Sequence, residues 1–187
     1  MVKIPTNEKS NIIFDPSYSD RLSYAISKFH GEFLFEKLIS KTKGDGAIVR
    51  FHNIYGPRMG YRHVIPEIIM RSAKSKKNIL IYGGNQSRAF CYISDAIYLL
   101  NSLLKRKIKK DRIFHIGNNC EIKINKVVKI ILKKVNKKLK IIDKGPPDSS
   151  VGRRSPNIKK ILNKVKYNSF TNLESGLEKT INWYSRN

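Results

Sequence analysis

Tyr24 and Lys28 stand at i and i+4 in the stretch Ser23-Tyr-Ala-Ile-Ser-Lys-Phe-His-Gly-Glu32, so on a helix both side chains leave the same face. An ammonium held beside a phenol favours the phenolate, and a phenol so placed can work as a general acid or base. The spacing alone is weak evidence: nine tyrosines among 187 residues with 38 lysines and arginines give about two such pairs by chance. Other residues with usable chemistry lie downstream. Arg88 carries the planar guanidinium fork that meets phosphate oxygens bidentately. Tyr82 offers a π-face on which a nucleobase could pack, although a core tyrosine is an equally good reading.

The elements needed to position these groups can be read from the patterning. Leu22, Ile26, Phe29, Phe33, Leu34 and Leu38 recur at helical spacing and predict a helix over 21–41. Residues 3–20, rich in Pro, Asn, Asp and Ser, read as a surface loop before it, and Lys43-Gly44-Asp45-Gly46 ends it. Ala47 to Phe51 is a short apolar run with β-branched residues, as in a buried parallel strand. Asn53 falls just past its carboxyl end, where ligands gather in open α/β sheets. Tyr55, Gly56 and Pro57 need no more than a strand-end turn. Further on, the pattern predicts helices over 64–76, 95–106, 124–135 and 173–184, with Ser94-Asp95 capping the second of these. Short strands are expected over 79–82, 112–116 and 140–142. Gly145 to Ser150 has the composition of a flexible linker.

Composition narrows the class. The chain is long enough to bury a core as one compact domain, or one and a small lobe. The N-terminus has no apolar signal region and no stretch is apolar enough to span a bilayer, so a cytoplasmic protein with no membrane partner is expected. Cys91 and Cys120 are too few and too far apart for a zinc site, so no metal is expected, and both read as small core hydrophobes. The net charge of +24 attracts phosphates non-specifically and raises a basic nucleic-acid-binding module as an alternative. The lysines are scattered rather than grouped with aromatics, however, which favours solvated faces over nucleic acid.

Taken together, several segments resemble the extended short-chain dehydrogenase/reductase superfamily, in its NAD-dependent epimerase/dehydratase family. The resemblance rests on Tyr24-x-x-x-Lys28 followed by Gly31-Glu32, on Arg50-x-x-Asn53-x-Tyr55-Gly56-Pro57, and on the Gly83-Gly84 loop ending in Arg88-x-Phe90-x-x-x-x-Asp95. It continues through the strand and glycine turn of Arg112 to Gly117, Gly152-Arg153-Arg154-Ser155-Pro156-Asn157, and the closing helix from Leu173. The fold it implies is α/β: the C-terminal part of a doubly wound Rossmann-type parallel sheet (residues 1–60 with 88–117), plus a small α/β substrate-binding lobe (residues 61–87 and 118–187). It implies a nucleotide-sugar modifying enzyme that oxidises the sugar transiently with bound NAD. By resemblance, Tyr24 and Lys28 are catalytic and touch the nicotinamide end of NAD. Asn53, Tyr82 and Arg88 bind the nucleotide-diphosphate sugar, with Arg154, or its neighbour Arg153, as a second phosphate arginine. Details of the Tyr55 to Met59 run and of Arg88-x-Phe90-Cys91-Tyr92 lean toward UDP-glucuronate decarboxylases.

No Gly-x-x-Gly-x-x-Gly turn opens a helix in this sequence, so the dinucleotide-binding half expected of the family is not matched. The expectation is therefore a C-terminal portion that works with a separate N-terminal half or as a homo-oligomer. A non-catalytic truncated remnant is the alternative.

Overall fold

The computed structural model describes residues 3–14, 20–42, 44–147 and 150–186, with the side chains of residues 20 and 21 excepted. Parts of the expected entry loop (15–19), of the first helix stop (Lys43) and of the linker (148 and 149) lie outside the described residues. Helix α1 (Asp20–Thr42) precedes strands β1 (Ile48–Phe51) and β2 (Ile54–Tyr55), helix α2 (Val64–Lys74) and strands β3 (Asn78–Ile81), β4 (Ser87–Ala89) and β5 (Cys91–Tyr92). Helix α3 (Ile93–Leu104), strands β6 (Ile113–Ile116) and β7 (Glu121–Lys123) and helix α4 (Ile124–Lys134) follow. Strands β8 (Lys140–Asp143) and β9 (Arg153–Arg154) and helices α5 (Lys159–Val165) and α6 (Leu173–Tyr184) complete the chain.

The architecture is α/β with parallel strand pairing. β1 runs parallel to β6, with Ile48 opposite Ile113 and Phe51 opposite Ile116. β2 pairs parallel with β5 and β3 with β8. β4 is the centre of a three-stranded sheet, antiparallel to β7 and parallel to β9. The longer elements follow from their patterns. β1 and β6 are apolar runs, and α4 presents Val127, Val128, Ile131 and Leu132 on one buried face, the spacing that defines an amphipathic helix. The strands of two or three residues, β2, β4, β5, β7 and β9, are too short to show a period.

Two cores form. One gathers α2, β3, α4 and α6 around Ile65, Ile69, Val127, Ile131 and Leu177. The other gathers α3, β6 and α5 around Leu99, Phe114, Ile116 and Ile161. Gly176, in the middle of α6, has a packing reason: a Cβ there would overlap the Tyr55 ring and hydroxyl. Glycine is disfavoured in a helix interior by about 1 kcal/mol, and here close approach of helix to strand explains it.

Several expectations are corrected. The apolar residues that predicted α1 do not face a core: Ile26, Phe29, Phe33, Leu34 and Leu38 are 41% to 63% exposed. The side of α1 turned toward the body carries Glu32, Phe35, Glu36 and Ile39 instead. Periodicity identifies an apolar face but not what covers it. Ser94-Asp95 does not cap α3, because the helix begins at Ile93 and the capping position is Tyr92. Asp95 is buried and accepts from the Tyr167 hydroxyl at 2.9 Å, the Thr171 hydroxyl at 2.7 Å and the Thr171 N–H at 3.0 Å. Cys120 is exposed rather than a core hydrophobe, while Cys91 is buried. The entry segment is also more than a surface loop. Thr6 donates to the Ser155 carbonyl at 2.9 Å and accepts from the Asn157 N–H at 2.7 Å. Among the described residues, no helix is long and apolar enough to cross a membrane.

Candidate functional site

Helix α1 places Tyr24 and Lys28 on one face, as the i, i+4 spacing requires. The Lys28 ammonium lies 5.3 Å from the centroid of the Tyr24 ring, within cation–π range. Tyr24 is 65% exposed, and its hydroxyl makes no hydrogen bond among the described residues. What fixes the helix against β1 is a two-pronged ion pair. Arg50 Nε donates to Glu32 Oε1 at 2.8 Å and Nη2 to Oε2 at 2.6 Å, the fork geometry that makes arginine–carboxylate pairs directional. Glu32 holds the Arg50 guanidinium above its usual range, against the cost of burial. Two residues of the sequence motifs thus position the helix.

Asn53 lies past the end of β1 with φ at +45°, a left-handed conformation that asparagine tolerates better than most residues. Its carbonyl accepts from the Cys91 N–H at 3.2 Å and its Nδ2 donates to the Ala89 carbonyl at 3.2 Å. Asn53 is therefore tied to β4 and β5, one residue from Arg88. Arg88 sits opposite Arg154 in the parallel pairing of β4 and β9. Among the described residues its guanidinium donates only to neutral acceptors: the carbonyls of Ser87 at 2.8 Å and Gly152 at 3.2 Å, and Gln86 Oε1 at 2.9 Å. Burial, and then the charge of Arg154, pull Arg88 below the usual guanidinium range. The two arginines bring like charges together on neighbouring strands.

The adjacent Arg153 is differently engaged. It donates through Nε and Nη2 to Glu121 at 3.1 and 2.7 Å, and Glu121 also accepts from the Ser87 hydroxyl at 2.6 Å. Tyr82 is half exposed, with the Arg71 guanidinium carbon 5.8 Å from its ring centroid. The pairing of β4 with β9 thus sets Arg88 beside Arg154, and Asn53 is bonded to the residue after Arg88. No hydrogen bond or ion pair among the described residues joins Tyr24 or Lys28 to Asn53 or Arg88.

Sequence reading missed His52 and His115. Their rings meet edge to face at 4.5 Å, and His52 Nε2 and His115 Nδ1 are buried with no hydrogen-bond partner among the described residues. Burial, chiefly, lowers both to about 4. For His52 the charges of His115 and Arg50 add to this, and for His115 the charge of Arg50. The only prior signal was that each histidine sits in or just past an apolar strand.

Residues 4–117 match the model of the "NAD dependent epimerase/dehydratase family". The chain belongs to that family. Over 183 residues it is 31% identical to the UDP-N-acetyl-alpha-D-glucosaminuronate decarboxylase of Bacillus cytotoxicus, covering 88% of this chain and 56% of the relative. Over 168 residues it is 29% identical to a putative UDP-glucose 4-epimerase of Methanocaldococcus jannaschii, covering 88% and 53%. The fold superposes on a UDP-glucose 4-epimerase from Thermotoga maritima, solved with UDP-glucose, at a TM-score of 0.85. That comparison covers 100% of this chain and 59% of the other, at 21% identity.

The chain spans about half the length of the curated relatives it matches. The match to the epimerase/dehydratase family also corrects an expectation, that of a C-terminal portion lacking the N-terminal dinucleotide-binding half. The family model takes residues 4–117, the N-terminal part of this chain. Those residues hold α1, the parallel β1–β6 pair and α3.

Proposed function

We propose that the chain binds a nucleotide-diphosphate sugar, with the diphosphate between Arg88 and Arg154, and takes part in its NAD-dependent modification. The observation that carries this reading is the half-buried Arg88, which among the described residues has only neutral acceptors and is repelled by Arg154. An anion shared by two guanidiniums relieves that repulsion and offers Arg88 a bidentate partner. Arg154 is preferred over Arg153 because the register of β9 sets Arg154 opposite Arg88 and Arg153 opposite Ser87. Asn53, bonded to the residue after Arg88, would orient the substrate, and Tyr82 would pack on the base.

Tyr24 and Lys28 suit the nicotinamide end of NAD, since an exposed hydroxyl and an ammonium one turn apart can meet ribose hydroxyls. When bound, NAD supplies the transient oxidation of the sugar. Tyr24 takes the proton from the sugar hydroxyl, and Lys28 places positive charge beside it. Likeness to a UDP-N-acetyl-alpha-D-glucosaminuronate decarboxylase over 183 residues supports a second, narrower reading, decarboxylation of a UDP-uronate. A substrate-binding lobe of residues 61–87 and 118–187 is supported by the shared core of α2, β3, α4 and α6. Residues 158–165 pack instead with α3 and β6. The exposed apolar face of α1 supports association as a homo-oligomer.

The test is to incubate the protein with NAD and, in turn, UDP-glucose, UDP-glucuronate and UDP-N-acetylglucosaminuronate, following product and carbon dioxide. Conversion of one of these, lost in Arg88→Ala, is expected. Absence of any UDP-sugar binding, with strongly salt-dependent DNA binding in its place, would return the basic-module reading.

A further inference from the structure

A cavity of about 770 Å³ opens between the start of α4, the start of α6 and the loop after β6, and contains none of the residues assigned above to sugar, phosphate or NAD. Its apolar wall includes Phe90 and Phe170. Lys123 and Lys126 line it as well, and neither makes an ion pair among the described residues. Lys123 is the N-cap of α4 and Lys126 stands in its first turn, which carries no acid. A helix N-terminus favours negative charge, so two lysines there leave positive potential without an internal counter-charge. The one carboxylate on the wall, Glu121, is already held by Arg153 and Ser87, and Arg153 keeps it below the usual carboxylate range.

Asn118 is only 8% exposed and lines the cavity. Its Oδ1 accepts from the Cys120 N–H at 2.9 Å, and its Nδ2 makes no hydrogen bond among the described residues. Apolar walls, two ammonium groups without an ion pair among the described residues and the Asn118 amide form the mostly apolar, few-polar-group composition of a small-molecule site. We propose that this cavity is a second binding site, for a small aromatic carboxylate. The ring lies against the phenylalanines, and the carboxylate meets Lys123, Lys126 and the Asn118 amide.

Cys120 stands on the wall and provides a direct readout. It is exposed, whereas Cys91 is buried with its thiol pushed up to about 12, so an alkylating reagent reports on Cys120 alone. The probe is 2-naphthoate, with acetate as the charge without the ring and 2-naphthamide as the ring without the charge. Saturating 2-naphthoate should slow N-ethylmaleimide modification of Cys120 at least about tenfold, while acetate and 2-naphthamide give less than about twofold protection. Lys123→Glu/Lys126→Glu should abolish protection, with an unfolding midpoint no lower than that of the unsubstituted protein. The milder Lys126→Gln should weaken protection part-way, and Arg88→Ala should leave it intact. An unchanged Cys120 rate in millimolar 2-naphthoate, equal protection by the amide, or full protection in a folded double variant would overturn the proposal.

Discussion

Arg88 and Arg154 are held in paired strands, whereas Tyr24 and Lys28 ride on a helix tied to β1 by the Glu32–Arg50 ion pair. The arginines are positioned by a backbone ladder that tolerates little displacement. The tyrosine is positioned by a side-chain ion pair, on a helix where Ile26, Phe29, Phe33, Leu34 and Leu38 face outward. A binding function drawn from the sheet should therefore survive changes that disturb α1, while proton transfer should not. The contrast suggests that phosphate recognition and acid–base chemistry can be removed separately.

The largest separation is expected from Tyr24→Phe. Loss of the hydroxyl proposed to transfer the proton should lower turnover by ~10²–10⁴, with UDP affinity unchanged. Steady-state rates beside calorimetric UDP titrations would show it, and unaltered turnover would remove Tyr24 from the chemistry.

Stability should divide along the same line. Leu99, fully buried beside Phe114 in the α3 core, should cost about 2–5 kcal/mol on truncation to Ala. Leu38→Ala on the exposed face of α1 should cost less than about 0.5 kcal/mol. Urea titrations of the two variants decide this. A comparable loss in both would mean that the α1 face is covered in solution.

How much of this could be read beforehand depended on the length of the pattern. α1, α2, α4, α6, β1, β3, β6 and β8 lie close to their expected spans, because each carries enough apolar residues to show a period. The short strands of the arginine sheet carry no such signal, yet β9 is what sets Arg154 rather than Arg153 beside Arg88. The identity of Glu121 as the partner of Arg153 spans 32 residues, a distance local patterning does not reach. Asp95 was misread for a related reason. Its position near a helix start suggests a cap, and only the folded chain shows Thr171 and Tyr167 converging on it from the other end of the sequence.

The histidine pair gives a pH test. His52 and His115 are lowered from 6.5 to about 4 in the folded protein, so the unfolded chain binds more protons between those values. Their contribution is fully present above about pH 6.5 and is lost as pH falls toward about 4. The urea midpoint should fall between pH 7 and pH 5, and less steeply in His115→Asn. An equal slope in the variant would assign the acid sensitivity elsewhere. Smallest of all should be Glu121→Gln. It frees Arg153 from an exposed pair and should leave UDP affinity where it was; a marked change would mean that Arg153 also serves the diphosphate.

The central claim, that Arg88 and Arg154 hold one diphosphate, is tested most directly by calorimetric titration of UDP and of uridine into the unsubstituted protein, Arg88→Ala, Arg154→Ala and the double variant. Charge-assisted hydrogen bonds contribute about 1.5–3 kcal/mol, so each single substitution should weaken UDP by roughly 10–100-fold and leave uridine unaffected. The double variant should lose less than the product of the two, because both side chains serve the same group. If UDP and uridine bind alike, or Arg88→Ala binds UDP as tightly as the unsubstituted protein, the arginine pair is not a diphosphate site.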